Sequence, residues 1–214
     1  MAVTLPVGEA PHWWREASGA LAASDATMGR VIAEWTGHGH LRSRGDPFTT
    51  LARSIVGQQI SVKAAQSVWN RFEAAAVTVT PQRVARMRLT TLTKAGLSTR
   101  KAEYVRDLAS HFVSGAVDPA HWPGLDDEAV IEELVQVRGI GRWTAEMFLI
   151  FNLLRPDVYP LDDLGLLKAI SIHYNDGRPV TKAEASELGE RWRPWRTLAT
   201  WYLWRSLDPL PVDY

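Results

Sequence analysis

The strongest constraint on the fold is a glycine turn that separates two segments with helical hydrophobic periodicity. Apolar residues recur at three- and four-residue steps over 126–137 and 143–153, and Gly139-Ile140-Gly141 lies between them. Glycine lets the backbone turn tightly and approach a ligand without a Cβ in the way. The pattern predicts a helix, a hairpin and a second helix beginning near Arg142, whose unpaired N–H groups favour an anion. A short glycine triplet by itself is more often an ordinary turn.

Helical periodicity extends over the rest of the chain, and no segment alternates as a long strand. Asp46-Pro47 predicts a helix start with proline at N1, Ser61 predicts the cap of a helix through Phe72, and Thr80-Pro81 predicts another start. Further helices are expected at about 99–113, from Asp162 or Asp163 to Ile172, at 181–191 and at 195–206. The fold class is therefore expected to be all-α, and 214 residues with 46% hydrophobic content suffice to bury a core.

Composition excludes several kinds of site. The chain has no cysteine, which excludes disulfides, thiol catalysis, zinc-thiolate sites and Cys-ligated iron–sulfur clusters. The histidines show no metal-ligand spacing except His38-Gly-His40, so we expect no transition metal. The segment Met1 to Pro11 has no basic start and no apolar run, and no segment approaches membrane-spanning length. We therefore expect a cytoplasmic protein, nucleoid-associated in a prokaryote, with no membrane partner.

Charge is unevenly distributed along the chain although the formal net charge is zero. Residues 83–106 are rich in Arg and Lys and contain one acid, Glu103, whereas residues 118–133 are acidic and contain no Lys or Arg. A nucleic acid duplex would be attracted by the first segment and repelled by the second. A solvated helix face explains most basic runs of this length, so the run does not decide the function.

The acidic pair Asp162-Asp163 is expected near the glycine hairpin. A helix of about eleven residues covers roughly 16 Å before the turn at Pro156 sends the chain back. A carboxylate at a helix N-terminus stays ionised, which suits a residue beside developing positive charge. Capping by one or both aspartates is the simpler interpretation. The two acids can also divide these roles, with Asp162 capping and Asp163 facing a cleft.

Four motifs in order resemble the helix-hairpin-helix DNA glycosylases that carry a glycine/proline-rich loop and an essential aspartate. In chain order they are 48–65, 96–104, 137–145 followed by 159–166, and 192–204, and they look like the 3-methyladenine DNA glycosylase II branch. The resemblance covers about residues 44–206. Larger members of this branch begin with an extra β-containing lobe, and only about forty residues stand in its place here. That lobe is expected to be missing or replaced by helices.

The resemblance implies a two-lobed helical fold with the active-site cleft between the lobes. It predicts an N-terminal helical segment over 1–43 that packs on the C-terminal half, and a glycosylase core over 44–206. Within the core, a six-helix lobe is expected at about 47–155, with the remainder in the second lobe. Residues 207–214 are expected to form a tail.

The activity that the resemblance implies is that of a monofunctional DNA glycosylase in base excision repair. Such an enzyme flips an alkylated purine out of duplex DNA and hydrolyses its N-glycosidic bond; 3-methyladenine, 7-methylguanine and 1-methyladenine are the expected lesions. The family aspartate falls on Asp163, which would stabilise the oxocarbenium-like sugar and orient or activate water. Trp143 stands where a mixed-function relative carries a lysine nucleophile, so we expect no Schiff base and no strand nicking.

The base pocket is likewise implied by the resemblance. Trp143 and Trp204 are expected to stack on a cationic purine, a contact worth about 0.5–2 kcal/mol. Most of the 10 tryptophans must serve packing instead, and Trp201 is an alternative pocket residue. Met147 and Leu164 occupy pocket positions where aromatic residues can occur, which predicts a roomier and less cation-selective pocket.

The DNA contacts follow from the same resemblance. Gln58 or Gln59 is expected to fill the gap left by the flipped nucleotide, unless both belong to a solvated loop. The hairpin carbonyls of Val135, Val137 and Gly139 resemble a site where Na⁺ or K⁺ bridges to a DNA phosphate, and no cofactor is expected for catalysis. The candidate phosphate contacts are Gly139, Gly141, Arg138, Arg142, Thr144, Lys63 and Arg100.

Two other functions remain open. One is a glycosylase for deaminated, etheno or mismatched bases such as hypoxanthine, ethenoadenine or uracil. The other is a non-catalytic helix-hairpin-helix module that binds DNA and has lost activity. Damaged duplex DNA is the expected partner of the enzyme, and we expect a monomer because nothing indicates an obligate oligomer.

Overall fold

The computed structural model describes residues 9–207, which form twelve α-helices and one short 3₁₀ helix (Trp122–Gly124). The helices are α1 (Trp14–Ser24), α2 (Ala26–Trp35), α3 (Pro47–Gly57), α4 (Val62–Ala76), α5 (Pro81–Ala85), α6 (Leu89–Lys94), α7 (Thr99–Ser114), α8 (Asp127–Leu134), α9 (Arg142–Phe151), α10 (Leu164–Tyr174), α11 (Lys182–Glu190) and α12 (Arg196–Leu207). This range contains no strand, so the all-α prediction is confirmed. The predicted tail lies outside the described residues except for Leu207, as do residues 1–8 of the N-terminal segment.

Helix starts follow the capping signals of the sequence. Asp46 caps α3 by accepting from the N–H of Thr49, with Pro47 at the first helical position. Ser61 caps α4 and Thr80 caps α5 in the same way. These predicted starts are confirmed because each side-chain oxygen accepts a hydrogen bond from a backbone N–H that the helix leaves unpaired. Thr80-Pro81 opens the short helix α5, and a second short helix that was not predicted, α6, follows it without a side-chain cap.

Contacts between Cα atoms divide the chain into two units. Unit 1 comprises, among the described residues, 44–148. In this unit α7 packs against α3, α5 and α6, while α4 packs against α3 and α6. Phe48, Leu51 and Ile55 form the fully buried stripe of α3, and the Phe48 ring meets Phe112 of α7 edge-on at 5.3 Å. The periodic apolar positions of α3 therefore supply the core of this unit, as their spacing predicts.

Unit 2 comprises residues 9–43 and 149–207 of the described chain. Here α12 packs against α1, α2 and α10. The indole N–H of Trp13 donates to the carbonyl of Leu154 at 3.0 Å, which ties the start of α1 to the segment after α9. The chain passes from one unit to the other between Phe148 and Leu149, inside α9. None of the helices within residues 9–207 is both long and apolar enough to cross a bilayer.

Candidate active site

Asp163 is the residue immediately before α10, and its carboxylate is fixed by two hydrogen bonds. Oδ1 accepts from the backbone N–H of Leu166 at 2.7 Å and from the indole N–H of Trp204 at 2.8 Å. The side chain is half-buried and lies at the positive end of the α10 dipole. These two hydrogen bonds hold the carboxylate in one orientation.

Trp204 is itself held in place by its neighbours within unit 2. The Phe151 ring stacks on it at 5.8 Å with an interplanar angle of 12°. A Cβ added at Gly165 would lie 3.1 Å from Asp163 Oδ1 and 3.5 Å from the Trp204 ring. Glycine at position 165 therefore leaves the space in which the indole N–H reaches the carboxylate.

Asp162 has a different role from the one expected. Its carboxylate pairs with the ammonium group of Lys182, and both side chains are more than half exposed. The helix is capped by Asp163, so the division of roles in which Asp162 caps is wrong. The physical reason is that Asp163 occupies the N-cap position, whereas Asp162 lies one residue too early to reach the N–H groups of the first turn.

The glycine hairpin joins α8 to α9 within unit 1. Gly139 has φ +91°, and a Cβ at this position would overlap the ring of Tyr104. Within residues 9–207, the backbone N–H groups of Gly139 and Gly141 donate no hydrogen bond. They lie at the start of α9, a ten-residue helix. Unpaired donors next to a helix N-terminus are the groups that a phosphate requires.

Two of the three predicted phosphate-binding arginines, Arg138 and Arg142, have acidic partners in this structure. Arg142 donates from both Nη atoms to the carboxylate of Glu128 at 2.7 Å, and its Nε donates to Glu146 at 3.1 Å. The hydrogen bond to Glu128 raises the pKa of Arg142, and the same pair lowers the pKa of Glu128. Arg138 pairs with Glu103 at 3.2 Å. A phosphate contact by either arginine would therefore exchange one anionic partner for another.

The other predicted phosphate contacts differ in exposure. Lys63 near the start of α4 and Arg100 near the start of α7 are exposed, with no side-chain hydrogen bond in the described part of the chain. Thr144 is only 8% exposed. The group that it offers to a phosphate is accordingly its backbone N–H in the first turn of α9.

The two glutamines of the predicted intercalating loop are placed differently. Gln58 is half-buried, and its Nε2 donates to the carbonyl of Gly139 at 2.8 Å. Gln59 is exposed, has φ +58°, and makes no side-chain hydrogen bond within residues 9–207. The ammonium group of Lys101 donates to the carbonyls of Val56 and Gln58 at 2.8 and 2.7 Å. The structure thus joins Gln58 to the hairpin and leaves Gln59 projecting into solvent.

A groove of about 540 Å³ lies beside this loop in unit 1. Gln59, Trp69, Trp143 and Thr144 are among its lining residues. Trp143 is 39% exposed, and the guanidinium group of Arg53 lies 5.0 Å from the centre of the Trp69 ring. An exposed indole in a groove favours a flat ligand that covers it.

The other predicted pocket residues are distributed over both units. Met147 is partly buried on α9, and Leu164, the first residue of α10, is 81% exposed. Trp201 is only 4% exposed and meets Trp14 edge-on at 5.0 Å. Its ring is in contact with Trp14 of the N-terminal helix and with the guanidinium group of Arg205, and its place in the base pocket stays a prediction.

The hairpin carbonyls proposed to bind a monovalent cation are partly engaged already. The Val137 carbonyl accepts from the N–H of Ile140 at 3.1 Å, and the Gly139 carbonyl accepts from Gln58. Each carbonyl oxygen has a second lone pair, so the donor set still suits Na⁺ or K⁺. Among residues 9–207, no group of three or more His, Asp or Glu side chains is arranged to hold a metal ion.

Three residues near these sites were not identified from the sequence: Lys101, Glu128 and Phe151. The sequence marks Lys101 as unusual, since it lies in the first turn of α7, where a positive charge opposes the helix dipole. No sequence signal marks Glu128 or Phe151, because their partners, Arg142 and Trp204, are distant in the sequence.

These features define a helix-hairpin-helix protein with a fixed carboxylate after the second helix of the motif. The chain belongs to the HhH-GPD superfamily of base excision DNA repair proteins, whose pattern matches residues 52–194.

Relatives of known structure share this fold over almost the whole chain. The crystal structure of DNA-3-methyladenine glycosidase from Bacillus halodurans superposes with a TM-score of 0.84 at 34% identity, covering 95% of this chain and 92% of that one. The 3-methyladenine DNA glycosylase of Schizosaccharomyces pombe in complex with abasic DNA gives a TM-score of 0.78 at 31% identity, covering 93% and 98%. The likeness confirms the predicted fold.

Curated relatives agree in name. DNA-3-methyladenine glycosylase 1 of Schizosaccharomyces pombe is 34% identical over 165 residues, which cover 75% of this chain and 72% of that protein. The chain spans less of two further relatives from Bacillus subtilis, 59% of one and 57% of the other.

Proposed function

We propose that the protein is a DNA glycosylase that removes alkylated purines from duplex DNA in base excision repair. The observation that carries the proposal is the Asp163 carboxylate, held by the N–H groups of Leu166 and Trp204 at the start of α10. The names of the relatives give 3-methyladenine as the base that those proteins act on. We extend the proposal to 7-methylguanine and 1-methyladenine, the further lesions expected from the family resemblance. This activity places the protein at the DNA of the cell, which is the nucleoid in a prokaryote.

The proposed reaction is hydrolysis of the N-glycosidic bond. The bond between C1′ and the base nitrogen breaks, and its electron pair leaves with the base, so a cationic alkylpurine departs as a neutral molecule. The sugar develops positive charge in the transition state, and the Asp163 carboxylate stabilises that charge. Water adds to C1′ and releases one proton to the carboxylate or to solvent. An alkylated purine needs little acid catalysis because it already carries the positive charge.

Base selection is assigned to the aromatic side chains. Phe151 covers one face of Trp204, and the indole N–H at the edge of the ring donates to Asp163. We assign the second face of Trp204 to a cationic purine, which would gain about 0.5–2 kcal/mol from stacking. A neutral base such as hypoxanthine lacks this gain and is a poorer leaving group. Trp143, with its exposed ring, remains a predicted base contact in unit 1, and Met147 and Leu164 remain predicted pocket residues.

The enzyme is proposed to be monofunctional. A lyase needs an amine nucleophile, and position 143 carries tryptophan where a mixed-function relative has lysine. Two lysines follow Asp163 in the sequence within twenty residues. Lys168 lies on the exposed face of α10, and Lys182 is paired with Asp162. Borohydride treatment during reaction with abasic DNA should therefore trap no covalent complex, and a trapped complex would contradict this part of the proposal.

DNA binding is proposed to use the hairpin and the loop. The N–H groups of Gly139 and Gly141 would bind a phosphate, with Na⁺ or K⁺ on the neighbouring carbonyls adding positive charge. Gln59, exposed and projecting, is the better of the two wedge candidates, since Gln58 is tied to the hairpin. We expect the protein to work as a monomer without a catalytic cofactor.

A panel of single-lesion duplexes tests the proposal. Purified protein should release 3-methyladenine and 7-methylguanine faster than hypoxanthine, ethenoadenine or uracil. Release of only the deaminated, etheno or mismatched bases would replace the substrate class, and folded protein that binds DNA but releases no base would indicate a non-catalytic module.

A further inference from the structure

One face of α7 contacts both the glycine hairpin and the loop before α4. Lys101, Tyr104 and Asp107 follow at three-residue spacing and so lie on adjacent turns of one helix face. The Tyr104 ring lies against Gly139, and the Asp107 carboxylate accepts from the backbone N–H of Arg138 at 2.9 Å. Two of these residues therefore set the position of the hairpin relative to α7.

Lys101 extends the same face to the loop. Its ammonium group donates to the carbonyls of Val56 and Gln58, the last turn and the C-cap of α3. A cation is favoured there because the carbonyls at a helix C-terminus are unpaired and carry the negative end of the dipole. Burial lowers the pKa of Lys101, as expected for an ammonium group withdrawn from water. Both charge-assisted hydrogen bonds go to protein, which distinguishes this lysine from the exposed Arg100 beside it.

The loop held in this way contains a left-handed residue that is not glycine. Gln59 has φ +58°, a conformation that such a residue keeps only when its surroundings impose it. On its N-terminal side, Gln58 is fixed at both its carbonyl, by Lys101, and its side-chain amide, by Gly139. These contacts are the surroundings that keep Gln59 projecting.

We propose that Lys101 is a positioning residue for base extrusion. It locks the Gln58-Gln59 turn onto the hairpin, so that Gln59 is already in place when the hairpin binds the DNA backbone. A preformed wedge avoids the ordering that a mobile loop would undergo during flipping. This inference rests on the proposed function, since it assigns Lys101 to a step of that reaction.

The test compares Lys101→Met with the wild-type full-length protein on two substrates. One carries the lesion in a normal base pair, and the other carries it unpaired in a bulge, where little stacking and pairing must be broken. Single-turnover excision from the paired substrate should fall about ten-fold or more, as for loss of one charge-assisted hydrogen bond. Excision from the bulge should stay within about three-fold of wild type, since chemistry at Asp163 is untouched. A purely structural defect would lower both rates equally and would overturn the proposal.

The salt dependence of binding separates this role from a phosphate contact. Loss of a phosphate contact would reduce the slope of log K against log salt by about 0.9, whereas a positioning role leaves the slope unchanged. Lys168→Met, on the exposed face of α10, is the matched control for removal of one lysine charge and should behave as wild type. A reduced slope for Lys101→Met alone would overturn the proposal.

Gln58→Ala provides a second variant that leaves the buried ammonium group in place, in case Lys101→Met folds poorly. It should show the same paired-substrate defect in weaker form, and the double variant should lose less than the product of the two single effects, because both act on one turn. Independent effects would overturn the proposal.

Fluorescence of 2-aminopurine beside a tetrahydrofuran abasic analogue reports filling of the gap without any excision. A smaller signal change for Lys101→Met than for wild type is expected, and an equal change would overturn the proposal. If the wild type perturbs the probe but excises no lesion, the proposed function fails while the role of Lys101 is still decided by this signal.

Discussion

Replacing Asp163 with asparagine removes a charge and little else. The Asn oxygen can still accept from the N–H of Leu166 and the indole N–H of Trp204, the two bonds that Asp163 Oδ1 accepts at 2.7 and 2.8 Å. Asparagine is also as good an N-cap as aspartate. The fold should therefore lose only the charge–dipole interaction, about 0.3–1 kcal/mol.

The effect on catalysis should be much larger. A carboxylate about 4 Å from a developing unit charge, at the effective dielectric constant of about 20 suited to a half-buried site, contributes about 4 kcal/mol. Removing it should slow single-turnover base release about 10³-fold. The rate is measured as release of 3-methyladenine and 7-methylguanine from methylated duplex DNA, and binding is measured by fluorescence anisotropy with an abasic duplex.

Asp163→Ala is the matched comparison for this variant. It loses both hydrogen bonds as well as the charge, so it should unfold more easily than Asp163→Asn by about 0.5–2 kcal/mol while being equally slow. Retention of activity within about ten-fold by Asp163→Asn would refute the electrostatic role. Loss of activity that is explained entirely by weaker DNA binding would refute it as well.

Three further predictions concern the hairpin and the stability of unit 2. Glu128→Gln should release the Nη atoms of Arg142 for a phosphate and steepen the slope of log DNA affinity against log salt by up to about 0.9. The unfolding free energy should change by less than about 1 kcal/mol because the Arg142–Glu128 pair is half exposed. An unchanged affinity and slope would show that Arg142 does not reach DNA. Gly139→Ala should destabilise the fold by more than about 1–2 kcal/mol, because Gly139 has φ +91° and the Tyr104 ring lies where the added Cβ would be. Gly141→Ala should keep the wild-type melting temperature, because the added Cβ would meet open space. Equal melting temperatures for the two variants would contradict this prediction. Burial alone would raise the pKa of Asp25, but hydrogen bonds from backbone N–H groups, an indole and a phenol lower that pKa below 3.8. The Asp25 carboxylate therefore stabilises the fold at a pH above its pKa in the unfolded state, and this stabilisation is lost as the pH falls through its pKa in the folded state. Asp25→Asn should accordingly narrow the difference between the free energies of unfolding in urea at about pH 7 and pH 3.

Much of the fold could be predicted from local sequence signals. The starts of α3, α4 and α5 follow from Asp46, Ser61 and Thr80, because a cap acts within four residues of itself. The start of α6 was missed because Arg88 at its N-cap makes no side-chain hydrogen bond, so no local signal marks it.

The candidate site was predictable in part for the same reason. The residues of the hairpin and Asp163 lie in short motifs whose spacing is visible in the sequence. The surroundings of Trp201 could not be predicted, because the ring that meets it, Trp14, lies far away in the sequence on α1. Which of the two aspartates caps α10 depended on the exact first residue of that helix, which periodicity does not define.

The amino-acid sequence by itself determined the helical class, the glycine turn and the position of the candidate catalytic acid, Asp163, since each depends on residues within about one or two helical turns. Only the tertiary structure decided what those residues touch. It joined Lys101 to the carbonyls of α3, Gln58 to Gly139, and Trp204 to Asp163, contacts between residues separated by 41 to 81 positions. Hydrogen bonds of this range depend on how the helices pack, and packing is a property of the whole core and not of any single segment.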